Sequence, residues 1–246
     1  MQNAIVNVGD RVVNHWLVTT PTGKRVLVDT GYAGGYPTFV KRLAAHGFAP
    51  DMIDYVFLTH AHDDHAGYLA EVLQASKAMV ICHPAALDGL KRGQNNFAGG
   101  CAGRLALLFC RGMALFGKSG HAFPPLPDAL FERLLVLTDE SEAALNKALG
   151  ARILRTPGHT ACSLSLAVQG AVFCGDAAMN GFPSHGHVSI WVENLAAYAA
   201  SWQVLIREGG MLYPGHGKPF PAAALQPNAN APLRRKLFPL SPPLEK

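Results

Sequence analysis

The chain has 246 residues, of which 49% are hydrophobic and only 15% charged, with a formal net charge of +4. That composition excludes a disordered chain and supplies core for one large domain or two small ones. The charge is modest and its single run of three basic residues, Arg234-Arg235-Lys236, reads as a solvated tail, so nothing favours a nucleic-acid surface.

Five cysteines, Cys82, Cys101, Cys110, Cys162 and Cys174, are scattered without a C-x-x-C pair. Cys82, Cys162 and Cys174 lie in apolar, strand-like contexts and are expected to be buried free thiols. Met1-Gln2-Asn3-Ala4 carries no charged region leading into an apolar run, so no signal peptide is expected. The longest apolar stretch, 105–116, is interrupted by Arg111 and is too short to span a bilayer. The expected location is the cytoplasm, with no membrane span.

Segments 11–19 and 24–29 flank Thr20-Pro21-Thr22-Gly23 in a hairpin pattern, closed by Asp29-Thr30-Gly31. A helix is predicted over 37–46, with Pro37 near its first turn and Gly47 beyond its end. Tyr55-Val56-Phe57-Leu58 reads as a buried strand, 66–74 as a helix, and Met79-Val80-Ile81-Cys82 as another strand.

The character changes over 84–127. An apolar run with Leu105, Leu108, Phe109, Met113, Leu115 and Phe116 stands between Gly99-Gly100 and the prolines Pro124, Pro125 and Pro127. It predicts a helical insertion lying on the main body. Core packing or a homodimer contact is the preferred reading, ahead of a substrate-covering lid.

Strands are then predicted at 134–137, 151–154, 162–168 and 171–174, the last two joined by a tight turn at Gln169-Gly170. A helix over 194–207, ended by Gly209-Gly210, leads into a last strand at 211–213. The Pro- and Ala-rich chain from Pro219 onward is expected to run over the surface. Two halves that each mix strands with helices predict an α/β fold of two packed sheets with helices outside. The organisation is one domain over 1–220, including the insertion, and a tail over 221–246.

His60-Ala61-His62-Asp63-Asp64-His65 places four potential metal-binding side chains in six residues, where a strand ends and a helix begins. Asp63 reads as a solvent-facing or helix N-terminal charge. Three more such groups follow predicted strands: His159 in Thr156-Pro157-Gly158-His159-Thr160, Asp176 in Gly175-Asp176, and His216 in Pro214-Gly215-His216-Gly217. Together His60, His62, Asp64, His65, His159, Asp176 and His216 offer enough imidazole and carboxylate for two ions with a shared water. His185 and His187 read as a surface loop.

In these motifs the chain resembles the metallo-β-lactamase-fold hydrolases, from the D-T-G at Asp29 through H-x-H-x-D-H, P-G-H-T and G-D to P-G-H-G. The resemblance covers about residues 11–220 and is weakest over the insertion. It implies an αββα four-layer sandwich of two mixed sheets. It implies that His60, His62 and His159 bind one divalent metal, that Asp64, His65 and His216 bind a second, and that Asp176 bridges. Asp29 would buttress the site by hydrogen bonding. Zinc is the expected metal, with iron or manganese also suited to this set.

The bridging Asp176 is foreign to true β-lactamases of this fold, and His62 stands where flavodiiron proteins carry Glu. A basic RNA-gripping arm, usual in the tRNA-processing nucleases, has no counterpart. The resemblance therefore points to the lactonase and glyoxalase II-like branch, with the lactonase-like reading slightly ahead because the basic residues after His216 are few. The expected activity is attack of a metal-bridging hydroxide on an ester, lactone or thioester carbonyl, with Asp64 or Asp176 holding the nucleophile's proton. The expected partner is a small molecule with an apolar acyl chain. An iron-dependent persulfide dioxygenase, a phosphodiesterase and a weakly active metal-binding sensor are the alternatives. Tyr32, Tyr36 and Ser184 are unranked candidates for the leaving-group donor.

Overall fold

The computed structural model describes residues 5–96, 98–115 and 120–240. In chain order the first half runs β1 (Ile5–Asn7), β2 (Trp16–Thr19), β3 (Arg25–Val28), α1 (Tyr36–Ala45), β4 (Tyr55–Phe57), α2 (Asp63–Ala66), α3 (Leu69–Gln74), β5 (Met79–Cys82), α4 (Leu87–Arg92), β6 (Gly100–Cys101) and α5 (Arg104–Leu115). The second half runs β7 (Leu134–Val136), α6 (Asp139–Leu149), β8 (Arg152–Arg155), β9 (Leu164–Val168), β10 (Ala171–Gly175), β11 (Trp191–Val192), α7 (Leu195–Glu208), β12 (Met211–Pro214) and β13 (Phe220–Pro221).

The strands form a six-stranded sheet in the order β1-β2-β3-β4-β5-β7 and a five-stranded sheet in the order β13-β12-β10-β9-β8. Both are mixed: β3, β4, β5 and β7 run parallel, as do β10 and β12, while the remaining pairs are antiparallel. Strand alternation sorts the side chains into layers. Leu17, Leu27, Val56 and Val80 face Phe39 and Leu43 of α1 and Leu69 and Val72 of α3. Val18, Val26, Phe57 and Ile81 point the other way, into Leu164, Leu166, Val168 and Phe173 of the second sheet. That sheet's opposite face presents Ala167, Val172 and Leu212 to Tyr198, Trp202 and Leu205 of α7. The result is the expected αββα sandwich, each large buried side chain contributing about 1.5–3 kcal/mol. Cys82, Cys162 and Cys174 are buried and free, as expected.

Several elements depart from the sequence reading. The expected helix over 66–74 is two helices, α2 and α3, and the first begins three residues earlier. The break falls at Gly67, whose backbone is so close to Gly31, Ala33 and Asp63 that a Cβ would lie 2.5 Å from each. Tyr68 then turns inward, its hydroxyl 2.8 Å from His15 Nδ1. The strand at 134–137, read as opening the second half, instead pairs parallel with β5 and completes the first sheet. Helix α6 was not anticipated; Thr138 caps it by accepting from Ser141 N.

The tail does not simply run over the surface, because Phe220, Ala222 and Leu225 are buried with Trp202 of α7. In α5 only Ala106 is buried, so this helix is not core packing; Leu108 is 65% exposed. Phe116 lies outside the described residues. No helix among the described residues is long and apolar enough to cross a membrane.

Candidate metal centre

All seven candidate residues converge at one end of the sandwich, each on a loop or first turn that follows a strand. Within this site His60, His62 and His159 form one group, Asp64, His65 and His216 another, and His60, His65 and Asp176 a third that overlaps both. Within each group the nearest donor atoms lie within 4.8 Å of one another.

In the first group His159 Nε2 is 3.1 Å from His60 Nε2 and 3.1 Å from His62 Nδ1. Three imidazole nitrogens bound to one ion at ~2.0–2.1 Å in tetrahedral geometry stand roughly 3.3 Å apart, so the observed spacing suits a single cation. In the second, His216 Nε2 is 3.1 Å and His65 Nε2 3.8 Å from Asp64 Oδ2. Asp176 stands between them: its Oδ2 is 3.7 Å from both His159 Nε2 and His216 Nε2, and its Oδ1 is 3.7 Å from His65 Nε2.

The surroundings fix these side chains. Asp29 Oδ2 accepts from His65 Nδ1 at 2.8 Å and from Thr59 Oγ1 at 2.7 Å, while its Oδ1 accepts from Thr59 N at 2.7 Å. Thr59 Oγ1 is also 3.0 Å from His60 Nδ1. The expected supporting role of Asp29 is therefore present, and Thr59 extends it to a second histidine. His159 Nδ1 donates to the Trp191 carbonyl at 2.7 Å, and His216 Nδ1 to the Val12 carbonyl at 2.8 Å. These bonds leave Nε2 of His65, His159 and His216 on the side of the cluster.

Two glycines make room for this arrangement. A Cβ at Gly175 would lie 2.4 Å from Thr59 Oγ1. One at Gly215 would lie 2.6 Å from His65 Cε1 and 2.7 Å from Asp176 Oδ1.

Burial holds His60 and His62 well below the usual histidine range, with neighbouring imidazoles adding to the effect. Burial also lowers His159, with Asp176 working against it. On His65 burial opposes charge, yet Asp64, Asp29 and Asp176 push the ring up to about 10. Burial likewise opposes charge on His216, but Asp176 and Asp64 raise it to about 9. Asp64 is held below the usual carboxylate range by His65 and His216, against the effect of burial. His65 Nε2 and Asp176 Oδ1, 3.7 Å apart, are buried without a hydrogen-bond partner among the described residues. Orphaned buried polar atoms are costly unless a cation joins them, so this donor set fits divalent metal.

Asp63, read as solvent-facing or as a helix N-terminal charge, is in the first turn of α2 and bonded to Asn95 Nδ2 at 2.7 Å. His185 is exposed, and His187 stacks on Phe220 with ring centroids 4.1 Å apart, so neither belongs to the cluster. Sequence reasoning missed Thr59, Asn95 and the carbonyls of Val12 and Trp191. Thr59 could have been found from its place beside His60; a backbone carbonyl leaves no trace in a sequence.

A model of the metallo-beta-lactamase superfamily matches residues 8–219, and the chain belongs to that superfamily. A hydroxyacylglutathione hydrolase of Salmonella typhi is 40% identical over 70 residues, 28% of this chain and 26% of the relative. One of Salmonella paratyphi B is 39% identical over the same length and shares. The match thus spans about a quarter of these curated relatives. Among solved structures, a Cronobacter sakazakii metallo-beta-lactamase HARLDQ-motif mutant superposes with a TM-score of 0.61 at 22% identity, covering 87% of this chain and 75% of that one. The metallo-beta-lactamase SMB-1 in complex with mercaptoacetic acid gives a TM-score of 0.64 at 17% identity, covering 94% and 92%. At these identities the likeness is one of fold.

Proposed function

We propose that this chain is a dinuclear metal-dependent hydrolase of ester, lactone or thioester carbonyls. The observation that carries the reading is Asp176, whose carboxylate stands 3.7 Å from donor atoms of both ligand groups. His60, His62 and His159 would hold one divalent cation, Asp64, His65 and His216 the other, with Asp176 shared. Zinc suits this donor set best, with iron or manganese as the other fits. Two such ions would bring the pKa of a shared water toward ~7 and polarise a carbonyl.

The protein's own groups supply the rest. Asp64 and Asp176 are placed to accept the proton of the attacking water. Asp29, Thr59 and the Trp191 and Val12 carbonyls keep the imidazoles aimed. Asp64 and His216 side chains are 14% and 13% exposed, against 2% or less for His65 and His159, so substrate approaches from that side.

An apolar acyl portion of a small-molecule substrate fits the rim. Phe182, on the loop whose neighbour Asn180 bonds to the His216 carbonyl, packs edge-on against Phe109 of α5 with ring centroids 6.0 Å apart. The insertion is thus on the metal side of the sandwich. The name carried by the Salmonella relatives supports acyl transfer to water over β-lactam or phosphodiester chemistry.

The test is metal content by mass spectrometry beside a panel of lactones, thioesters, alkyl esters and phosphodiesters. Two metals per chain with acyl hydrolysis is the expected result. Two metals with no acyl hydrolysis, or oxygen consumption with a persulfide by an iron form, would sink the reading.

A further inference from the structure

Once the cluster holds cations its imidazoles bind through lone pairs and have no proton to give. Beyond the single proton that Asp64 or Asp176 takes from the attacking water, a leaving alkoxide or thiolate depends on a donor outside the cluster. His121, contributed by the insertion, stands beside the cluster and is held there.

Its ring Nδ1 is 3.4 Å from Asp63 Oδ1. The same oxygen accepts from Asn95 Nδ2 at 2.7 Å, and Asn95 Oδ1 in turn accepts from Asp63 N at 2.7 Å. Asn95 is itself buried, so the carboxylate has little freedom. The His121 carbonyl accepts from Asn95 N and from Gln94 Nε2, both at 3.1 Å. These bonds hold His121 at φ 45°, a left-handed conformation uncommon for a residue with a side chain. Local strain at a fixed, partly exposed imidazole needs an account, and Asp63 immediately precedes Asp64 in the cluster.

We propose that His121 is the proton donor to the leaving group, oriented by Asp63 and Asn95. The proposal rests on the hydrolase reading above. A carboxylate on Nδ1 fixes which side of the ring carries the transferable proton, Nε2. The His121 side chain is 39% exposed, against 15% for Asp63. Asp63 raises the ring above the usual histidine range through their hydrogen bond, against burial, and Asp64 and Cys110 add to the rise. His121 is also close enough for its charge to depress His62.

In the step assigned to it, the tetrahedral adduct collapses and the bond from acyl carbon to leaving oxygen or sulfur breaks. The bonding pair passes to that atom, which takes the Nε2 proton of His121. The acyl carbon keeps the entering oxygen, whose proton passes by way of Asp64 or Asp176 to solvent and leaves a carboxylate, and the imidazole regains its proton from solvent.

The experiment compares two esters of one acyl group, an ethyl ester with a poor leaving group and a 4-nitrophenyl ester with a good one. His121→Gln should lower kcat for the ethyl ester by about 100-fold or more, the usual scale of general acid catalysis. It should leave the 4-nitrophenyl ester within about threefold and metal per chain unchanged. Equal losses on both esters, or no loss on either, would overturn the assignment. So would a selective loss in Tyr32→Phe with none in His121→Gln, which would move the role to the phenol. A wild-type protein with two metals and no action on either ester overturns the hydrolase reading, and this proposal with it.

Discussion

Asp29 and His65 meet through a 2.8 Å hydrogen bond in which the carboxylate accepts from Nδ1. The aspartate is 1% exposed and the histidine fully buried. Asp29 follows β3 at φ 61°, and the parallel pairing of β3 with β4 brings it within hydrogen-bond reach of Thr59 and so to the start of the cluster. One carboxylate thereby fixes the ring of His65 and, through Thr59, that of His60.

Asp29→Asn should therefore weaken metal binding without unfolding the sandwich. Loss of an outer hydrogen bond to a ligand histidine typically costs 10–100-fold in metal affinity. Competition against a chelator should show that loss chiefly for the metal on His65. Unchanged affinity at both positions would mean that Asp29 serves only the backbone.

The apolar rim leads to a second expectation. Phe182 is 79% exposed, so truncating it removes little buried area and should change stability by less than about 0.5 kcal/mol. Phe182→Ala should raise KM several-fold for octanoyl esters and leave acetyl esters unchanged. A change of equal size for both chain lengths would show that the rim does not hold the acyl chain.

His15, beside the cluster, gives a pH dependence of stability. Burial pushes this ring down to about 3, against an ordinary value near 6.5. Its Nδ1 lies 2.8 Å from the Tyr68 hydroxyl. Between those values the unfolded chain binds a proton at His15 and the folded chain does not. Its contribution to stability is complete above pH 6.5 and falls as the pH falls toward 3, by up to about 1.4 kcal/mol per unit. His15→Gln should be less stable than wild type at pH 7.5 but lose less on going to pH 5, measured by urea unfolding. Parallel losses would contradict the assignment.

The seven candidate residues that converge in the cluster were legible because they sit in short motifs at strand ends, where spacing and flanking Gly or Pro survive in the sequence. The αββα layering followed from the family resemblance and from two halves of alternating strands and helices. What escaped was non-local. Leu134 to Val136 carries a strand pattern, but its place beside β5 is set by where the chain returns after the insertion. Leu225 and Phe220 look like a loose Pro/Ala tail, and only the exposed flank of α7 explains their burial. Asn95 and His121 belong to no motif; they reach Asp63 because the insertion folds back onto α2. The break at Gly67 needed the approach of the Gly31 loop, which no helical periodicity reports.

The proposed hydrolase depends on two ligand groups sharing Asp176. Anomalous scattering from crystals of the zinc-loaded protein would locate the ions. Two peaks roughly 3.5–4 Å apart are expected, one among His60, His62 and His159 and one among Asp64, His65 and His216, with Asp176 touching both. A single peak, or a second peak away from Asp176, would contradict it.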